Sequence, residues 1–246
     1  MMIFRRGLAT ATNATTMASL KKAGKVVCIG RNYADHIAEL NNTRPKQPFF
    51  FLKPSSSILA PGEGPVVRPK GVDLHYEVEL ALVLGKRIRD FDENDNKAAL
   101  DAIDSYALSI DMTARNVQNE AKKKGLPWDI CKGFDTFLPV SNVINKSAIP
   151  DPHNIELYLT VNDKVQQQDS TELMLFRIPK ILGDISKVMT LNPGDIILTG
   201  TPKGVGPVVP GDVMKAGIRI NGKELEEAKI EVQVEESTGA YQYGET

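Results

Sequence analysis

The sequence predicts an α+β fold with a mixed, folded-over sheet. Three observations carry that reading. Apolar or alternating runs that suit strands outnumber the segments with helical 3–4 spacing. Strands and helices show no steady alternation of the kind that builds a doubly wound parallel sheet. Turn signals recur at short range, in Pro193-Gly194-Asp195, Pro210-Gly211-Asp212 and Asn221-Gly222.

Taken in order, residues 1–22 stand apart. Arg5, Arg6, Lys21 and Lys22 are basic, hydroxyl residues and alanine dominate, and the first acidic residue is Asp35. That is the profile of a mitochondrial presequence, the alternative being a disordered tail; Met17 offers an internal start and with it a cytosolic form. Residues 23–246 then read as a single domain. Lys25–Gly30 reads as a short apolar strand and 31–40 as a short helix ended by Asn41-Asn42. Pro45, Pro48 and Pro54 bracket Phe49–Leu52, expected as a buried strand with proline at its ends. Val72–Gly85 reads as one strand stopped by glycine, with Val78, Leu80, Leu82 and Leu84 on one face and Glu77 and Glu79 on the other. Residues 92–104 suit a surface helix, and 113–124 a helix stopped by Gly125-Leu126-Pro127. Residues 128–137 read as irregular. Ile155 to Val161 alternates and returns through Asn162-Asp163 as a hairpin. Pro179 suits the first turn of a helix carrying Ile181, Leu182, Ile185, Val188 and Met189. Asn221-Gly222 is expected to join Ile218–Ile220 to a last strand at Ile230–Val234.

The bulk numbers narrow the function classes. With 246 residues, 41% hydrophobic and 25% charged, the composition is ordinary for a globular chain. A formal net charge of −1 gives no sign of a nucleic-acid or anionic-membrane partner, and no apolar run approaches a membrane span. Cys28 and Cys131 are not in a CxxC, so a disulfide framework or zinc site is not indicated; both suit small buried hydrophobes.

Two carboxylates side by side on an apolar strand are costly to desolvate unless neutralised. Glu77 and Glu79, with Asp111 at the end of the apolar run Tyr106–Ile110, make an oxygen-rich set that suits Mg²⁺ or Mn²⁺. The competing reading is two solvated glutamates on an edge strand. His36 and Glu39, three apart, form either a general-base pair or a solvated helix face. Lys132, among Trp128, Phe134 and Phe137, is either a buried lysine aimed at an anion or a snorkelling one. Arg115 and Gln118 share a helix face after Asp111. Gly200–Gly206 either points backbone N–H groups at a carboxylate or is a tight turn. His75 shares a face with Glu77 and Glu79 and suits an outer position better than that of a ligand. His153 reads as a loop residue.

In order, these pieces are Gly30-Arg31-Asn32-Tyr33 with Asp35-His36, Phe51-Leu52-Lys53-Pro54, Glu77-x-Glu79-Leu80, Asp111-Met112-Thr113-Ala114-Arg115, Lys132-Gly133-Phe134-Asp135 and Gly200-Thr201-Pro202-x-Gly204-Val205-Gly206. Together they resemble the fumarylacetoacetate hydrolase family over about residues 24–235. Ala114–Gln118 with Ala121–Trp128 is most similar to fungal members of its compact mitochondrial acylpyruvase and oxaloacetate tautomerase branch. The resemblance implies a mixed β-sandwich roll, a homodimer, and Mg²⁺ or Mn²⁺ on Glu77, Glu79 and Asp111. It implies His36 and Glu39 on a lid helix, Lys132 in the pocket, and Arg31, Arg115, Gln118 and Thr201 around a small 2-oxo acid. The implied activity is oxaloacetate keto–enol tautomerisation through a metal-stabilised enolate. Acylpyruvate hydrolysis or oxaloacetate decarboxylation is the alternative on the same site, and a non-catalytic oxo-acid-binding protein is the rival from another class.

Overall fold

The computed structural model describes residues 20–39 and 43–246. Most of the expected presequence lies outside the described residues; Leu20, near its end, and Ala23, just after it, are already buried. Among the described residues, no helix is long and apolar enough to cross a membrane.

The chain opens with β1 (Val26–Gly30) and α1 (Ala34–Glu39). Between them Arg31 takes a positive φ of 58°, a conformation that non-glycine residues seldom adopt. β2 (Phe49–Lys53) returns antiparallel on β1. It is an edge strand, so Phe49–Leu52 are half-buried or exposed rather than buried as expected. Short β3 (Ile58–Leu59) and β4 (Val66–Arg68) follow. The strand expected across 72–84 is two strands, β5 (Leu74–Tyr76) and β6 (Val78–Leu84), broken at Glu77.

Next come α2 (Asn96–Asp101), capped by the Asp95 side chain, and β7 (Ile103–Ile110). β8 (Thr113–Ala114) takes the start of the expected 113–124 helix, leaving α3 (Arg115–Lys124), which Gly125 ends at a φ of 70°. The stretch read as irregular holds a single helical turn, α4 (Asp129–Lys132). β9 (Leu138–Pro139) and β10 (Ile144–Asn145) lead to the hairpin of β11 (Glu156–Val161) and β12 (Lys164–Ser170). Its turn residues Asn162 and Asp163 both have positive φ, 50° and 62°, as a type I′ turn requires. α5 (Ile178–Val188) has its proline in the first turn. β13 (Ile196–Leu198), β14 (Gly206–Pro207), β15 (Val213–Ile220), β16 (Lys223–Glu224) and β17 (Ile230–Glu236) complete the chain. Asn221-Gly222 turns β15 into the two-residue β16, and β17 pairs with β15 further along.

Two mixed sheets pack face to face, in orders β10-β7-β6-β13-β1-β2 and β12-β11-β15-β17-β4. Val78, Leu80, Leu82 and Leu84 of β6 meet Leu157, Leu159, Met214 and Ile218 of the second sheet in the main core. Ala81 and Val83, on the opposite face, join Cys28, Ile58, Leu138 and Leu198 in a second cluster. β6 is therefore a central strand buried on both sides. The edge-strand alternative for Glu79 is excluded, and Glu79 is drawn into the interior by its neighbours. This is an α+β sandwich, as expected.

Candidate active site

Strand direction builds the site. β1 and β13 run parallel, so both C-terminal ends lie together. β6 is antiparallel to β13, and β7 to β6, which brings the start of β6 and the end of β7 to the same edge. Val78 pairs with Ile110, and one step outward the Asp111 N–H donates to the Glu77 carbonyl at 2.7 Å. One ligand oxygen from each of Glu77, Glu79 and Asp111 thus falls within 4.8 Å of the others. The break at Glu77 lets β5 leave for a small sheet with β8 and β14.

The charges around this triad are unevenly matched. Lys132 Nζ donates to Glu77 Oε2 at 2.9 Å, Asp111 Oδ2 at 2.6 Å and Thr113 Oγ1 at 2.7 Å. Lys53 Nζ donates to Asp111 Oδ1 at 2.6 Å, and Arg115 Nη2 to Glu77 Oε1 at 2.5 Å. Burial pushes the Glu77 carboxyl up, but Lys132 and Arg115 outweigh it and hold it well below the usual carboxylate range. Burial likewise works against the Lys132 ammonium, and Asp111 and Glu77 more than reverse it, locking the charge on. Glu79 has no such partner. Its Oε2 accepts the Gly200 N–H at 2.6 Å, and among the described residues no Lys, Arg or His nitrogen lies within 4.0 Å of its carboxylate. Burial, then Asp111 and Glu77, push this carboxyl well above its ordinary value. A buried carboxylate set with one member uncompensated fits a divalent cation with a preference for oxygen.

Above the triad sits α1. His36 is buried, and its Nδ1 lies 3.5 Å from Glu39 Oε2, an approach too long for a good hydrogen bond. Burial pushes the imidazole below its ordinary value, against the pull of Glu77 and Glu39, so it is neutral at neutral pH. The helix is fastened to the glycine-rich loop after β13. Gly204 N–H donates to both Glu39 carboxylate oxygens at 3.1 Å, and Lys203 Nζ to Asp35 at 2.7 Å. Gly204 has a φ of 92°, and a Cβ there would meet the Gln166 carbonyl at 2.0 Å. Only glycine lets the loop pass this close.

The resulting cleft is narrow, with about 30 Å³ of free space. Its walls bring together the expected Arg31, His36, Glu77, Glu79, Asp111, Arg115, Gln118, Lys132 and Thr201, with Glu39 just behind His36. Arg115 Nη1 donates to Gln118 Oε1 at 2.6 Å, which fixes both side chains. His75 instead approaches Asp73, and His153 accepts the Ile178 N–H at the start of α5. Both cysteines are buried and free, and burial raises both thiols.

The profile of the fumarylacetoacetate (FAA) hydrolase C-terminal domain matches residues 25–233. The chain belongs to this family. A curated relative, the mitochondrial oxaloacetate tautomerase of Schizosaccharomyces pombe, is 57% identical over 217 residues, 88% of this chain and 98% of the relative. The crystal structure of a yeast family member superposes with a TM-score of 0.83 at 42% identity, covering 92% of this chain and 99% of that one. A fumarylpyruvate hydrolase from Pseudomonas aeruginosa, solved in complex with Mn²⁺ and pyruvate, gives 0.77 at 30% identity, covering 87% and 91%.

Three residues at this site were given no role in the sequence reading. Lys53 stood in the Phe51–Pro54 motif without a role of its own, yet period two puts it on the face of Phe49 and Phe51; the Phe51 ring lies 4.9 Å from Lys132 Nζ. Gln167 gave no signal. Fully buried, its Oε1 accepts the Val78 N–H at 2.9 Å and its Nε2 donates to Thr201 Oγ1 at 2.9 Å, which sets the Thr201 hydroxyl against the triad's strand. Lys122, one of three consecutive lysines in the Ala121–Trp128 motif, lines the cleft.

Proposed function

We propose that this chain is a mitochondrial oxaloacetate keto–enol tautomerase that uses Mg²⁺ or Mn²⁺ on Glu77, Glu79 and Asp111. The observation that carries the reading is the buried carboxylate triad, one member uncompensated, at the floor of a cleft whose walls are cationic. A cation held there would act as a Lewis acid toward the oxygens of a 2-oxo acid.

The protein's own groups divide the remaining work. Arg115, Gln118 and Thr201 are pre-set by their hydrogen bonds to grip a small anion without reordering. Lys132, locked as an ammonium, is a fixed positive charge facing the negative charge that develops as a proton leaves C3. For the same reason it is a poor proton shuttle. That task falls to His36, whose neutral ring can take the C3 proton on one nitrogen while Glu39 faces the other. Returning the proton to oxygen or to carbon interconverts the enol and keto forms.

A second reading is hydrolysis of acylpyruvates, which the His36–Glu39 pair favours because the same base can activate water. Decarboxylation of oxaloacetate needs no such base. The proposal includes a homodimer, and a monomer by light scattering at micromolar concentration counts against that part. The deciding experiment follows loss of enol-oxaloacetate, and separately cleavage of acetylpyruvate, with Mg²⁺, with Mn²⁺ and after chelation. Metal-dependent tautomerisation faster than acetylpyruvate cleavage is expected. Equal turnover after chelation, or none on either compound, overturns the reading.

A further inference from the structure

The cations of the cleft fall into two groups. Lys53, Lys132 and Arg115 lie at or beneath its floor, each paired with Glu77 or Asp111. Arg31 and Lys122 line its mouth, and among the described residues neither has a carboxylate within 4.0 Å. Both are instead held on aromatic faces. Arg31 Cζ stands 5.5 Å from the centroid of Phe49, and Lys122 Nζ 5.6 Å from that of Trp128. The two rings meet edge to face at 5.6 Å, so the cations sit on one continuous aromatic step. An aromatic face positions a cation while leaving its charge unneutralised.

Each arm of this arrangement has a local cause. Arg115, Gln118 and Lys122 are spaced i, i+3 and i+7 on α3, so one helix face feeds floor and mouth together. Arg31 holds a left-handed backbone at φ 58°, and Gly30 before it leaves room for the Phe49 ring, which a Cβ there would meet at 2.2 Å. Strain at a residue that lines a cleft is sustained by the structure around it and is common where a side chain must be aimed. Lys122 is exposed overall, yet partial desolvation of its ammonium, then Arg115 and Arg31, push it down to about 8. Two cations over adjoining rings, with no carboxylate within 4.0 Å of either among the described residues, are poised for an anion from outside.

We propose that Lys122 and Arg31 form a second anion subsite at the cleft mouth, which takes the distal carboxylate of a four-carbon 2-oxo diacid and sets a preference for diacids over 2-oxo acids with a neutral tail. The inference rests on the 2-oxo acid reading for the floor, and deepens it by assigning the far end of the substrate. With the keto-acid end held at the floor, a neutral acyl tail leaves both cations unmatched. A distal carboxylate matches them.

The test uses non-reacting probes, D-malate and D-lactate, which share a 2-hydroxy carboxylate and differ in the distal carboxylate. Calorimetric titration into the Mg²⁺-loaded protein should show D-malate binding at least about tenfold more tightly, the scale of a hydrogen-bonded charge pair. Lys122→Met, which keeps the stem over Trp128, should lower that ratio by about tenfold with the D-lactate affinity unchanged. Lys122→Arg should retain most of it, and Arg31→Met should act like Lys122→Met. In parallel, Lys122→Met should lower kcat/KM for oxaloacetate more than for acetylpyruvate. A D-malate to D-lactate ratio that is unchanged in Lys122→Met, an equal loss for both probes, or a wild type that binds the two alike overturns the subsite. The binding ratio does not depend on turnover. A wild type inert toward oxaloacetate but with a Lys122-dependent ratio therefore refutes the proposed reaction and leaves the subsite standing.

Discussion

Replacing Glu79 with glutamine should stabilise the cation-free protein while removing its response to metal. Glu79 is 2% exposed, lacks a basic partner among the described residues, and faces Asp111 and Glu77. Glutamine keeps the shape and an oxygen to accept the Gly200 N–H, and removes only the charge. Relief of desolvation and like-charge repulsion should return about 1–3 kcal/mol, which for a chain of this length is about 2–12 °C in Tm. The sign with pH is fixed by the raised Glu79 carboxyl. The folded state holds this proton more tightly than the unfolded chain, so wild-type stability falls as pH rises from the ordinary value of 4.5 through the folded one, and the advantage of the variant grows over that window. Metal reverses the order. At a hundredfold excess over Kd, Mg²⁺ should add about 2.7 kcal/mol to the wild type and little to Glu79→Gln. Scanning calorimetry in chelator and in Mg²⁺, beside the tautomerisation assay, reads both effects. A variant that melts at or below the wild type in chelator refutes the claim that Glu79 is an uncompensated buried charge.

Other outcomes follow from the same geometry. Lys53→Met leaves Asp111 short of one buried partner and should cost about 3–5 kcal/mol, measured by urea denaturation. His36→Ala should slow tautomerisation and acetylpyruvate cleavage by about 10²-fold while sparing decarboxylation; in the wild type, the acid limb of kcat/KM should fall below the ordinary histidine value of 6.5. Unchanged rates in His36→Ala leave His36 a buried structural residue of α1 with no part in proton transfer. Gly204→Ala should detach the loop from Glu39 and lower kcat/KM by at least about tenfold, because its Cβ collides with backbone and its φ is left-handed. Residues 1–22 fused to a fluorescent reporter should carry it into mitochondria, and a diffuse cytosolic signal removes the presequence reading.

The fold and the triad were legible for different reasons. Alternation over Val78–Leu84 identified a buried strand because apolar periodicity is a local property. It also put Glu79 on the face that Ala81 and Val83 carry into the second cluster. The break at Glu77 was not legible. Nothing in Val72–Leu84 marks it, since it follows from β5 pairing with β8 and β14, far along the chain. Phe49–Leu52 looked buried by composition, but edge position is a tertiary property and leaves Leu52 40% exposed. The roles of Lys53, Gln167 and Lys122 escaped for a related cause. A lysine at a strand end, a glutamine among glutamines and a lysine among lysines carry no local mark. Their roles come from what the sheet edge and α3 place opposite them.

The distribution of charge then constrains the reaction more than any single residue does. Inside the cleft the acids outnumber their close partners at one place, Glu79; at the mouth the bases do, at Arg31 and Lys122. Both imbalances are costly in the protein alone, the first through burial and the second through mutual repulsion. Each is removed by a ligand of opposite sign, a cation at the floor and an anion at the mouth. A molecule that satisfies both must chelate at one end and be negative at the other, which is the chemistry of a 2-oxo diacid. In the proposed reaction His36, neutral and lining the same cleft, would meet the carbon that separates them. A monoanionic acylpyruvate satisfies the floor and leaves the mouth repulsive. The same pocket should therefore turn over both classes and discriminate between them chiefly through Lys122, with Glu79→Gln abolishing turnover of both and Lys122→Met narrowing the gap.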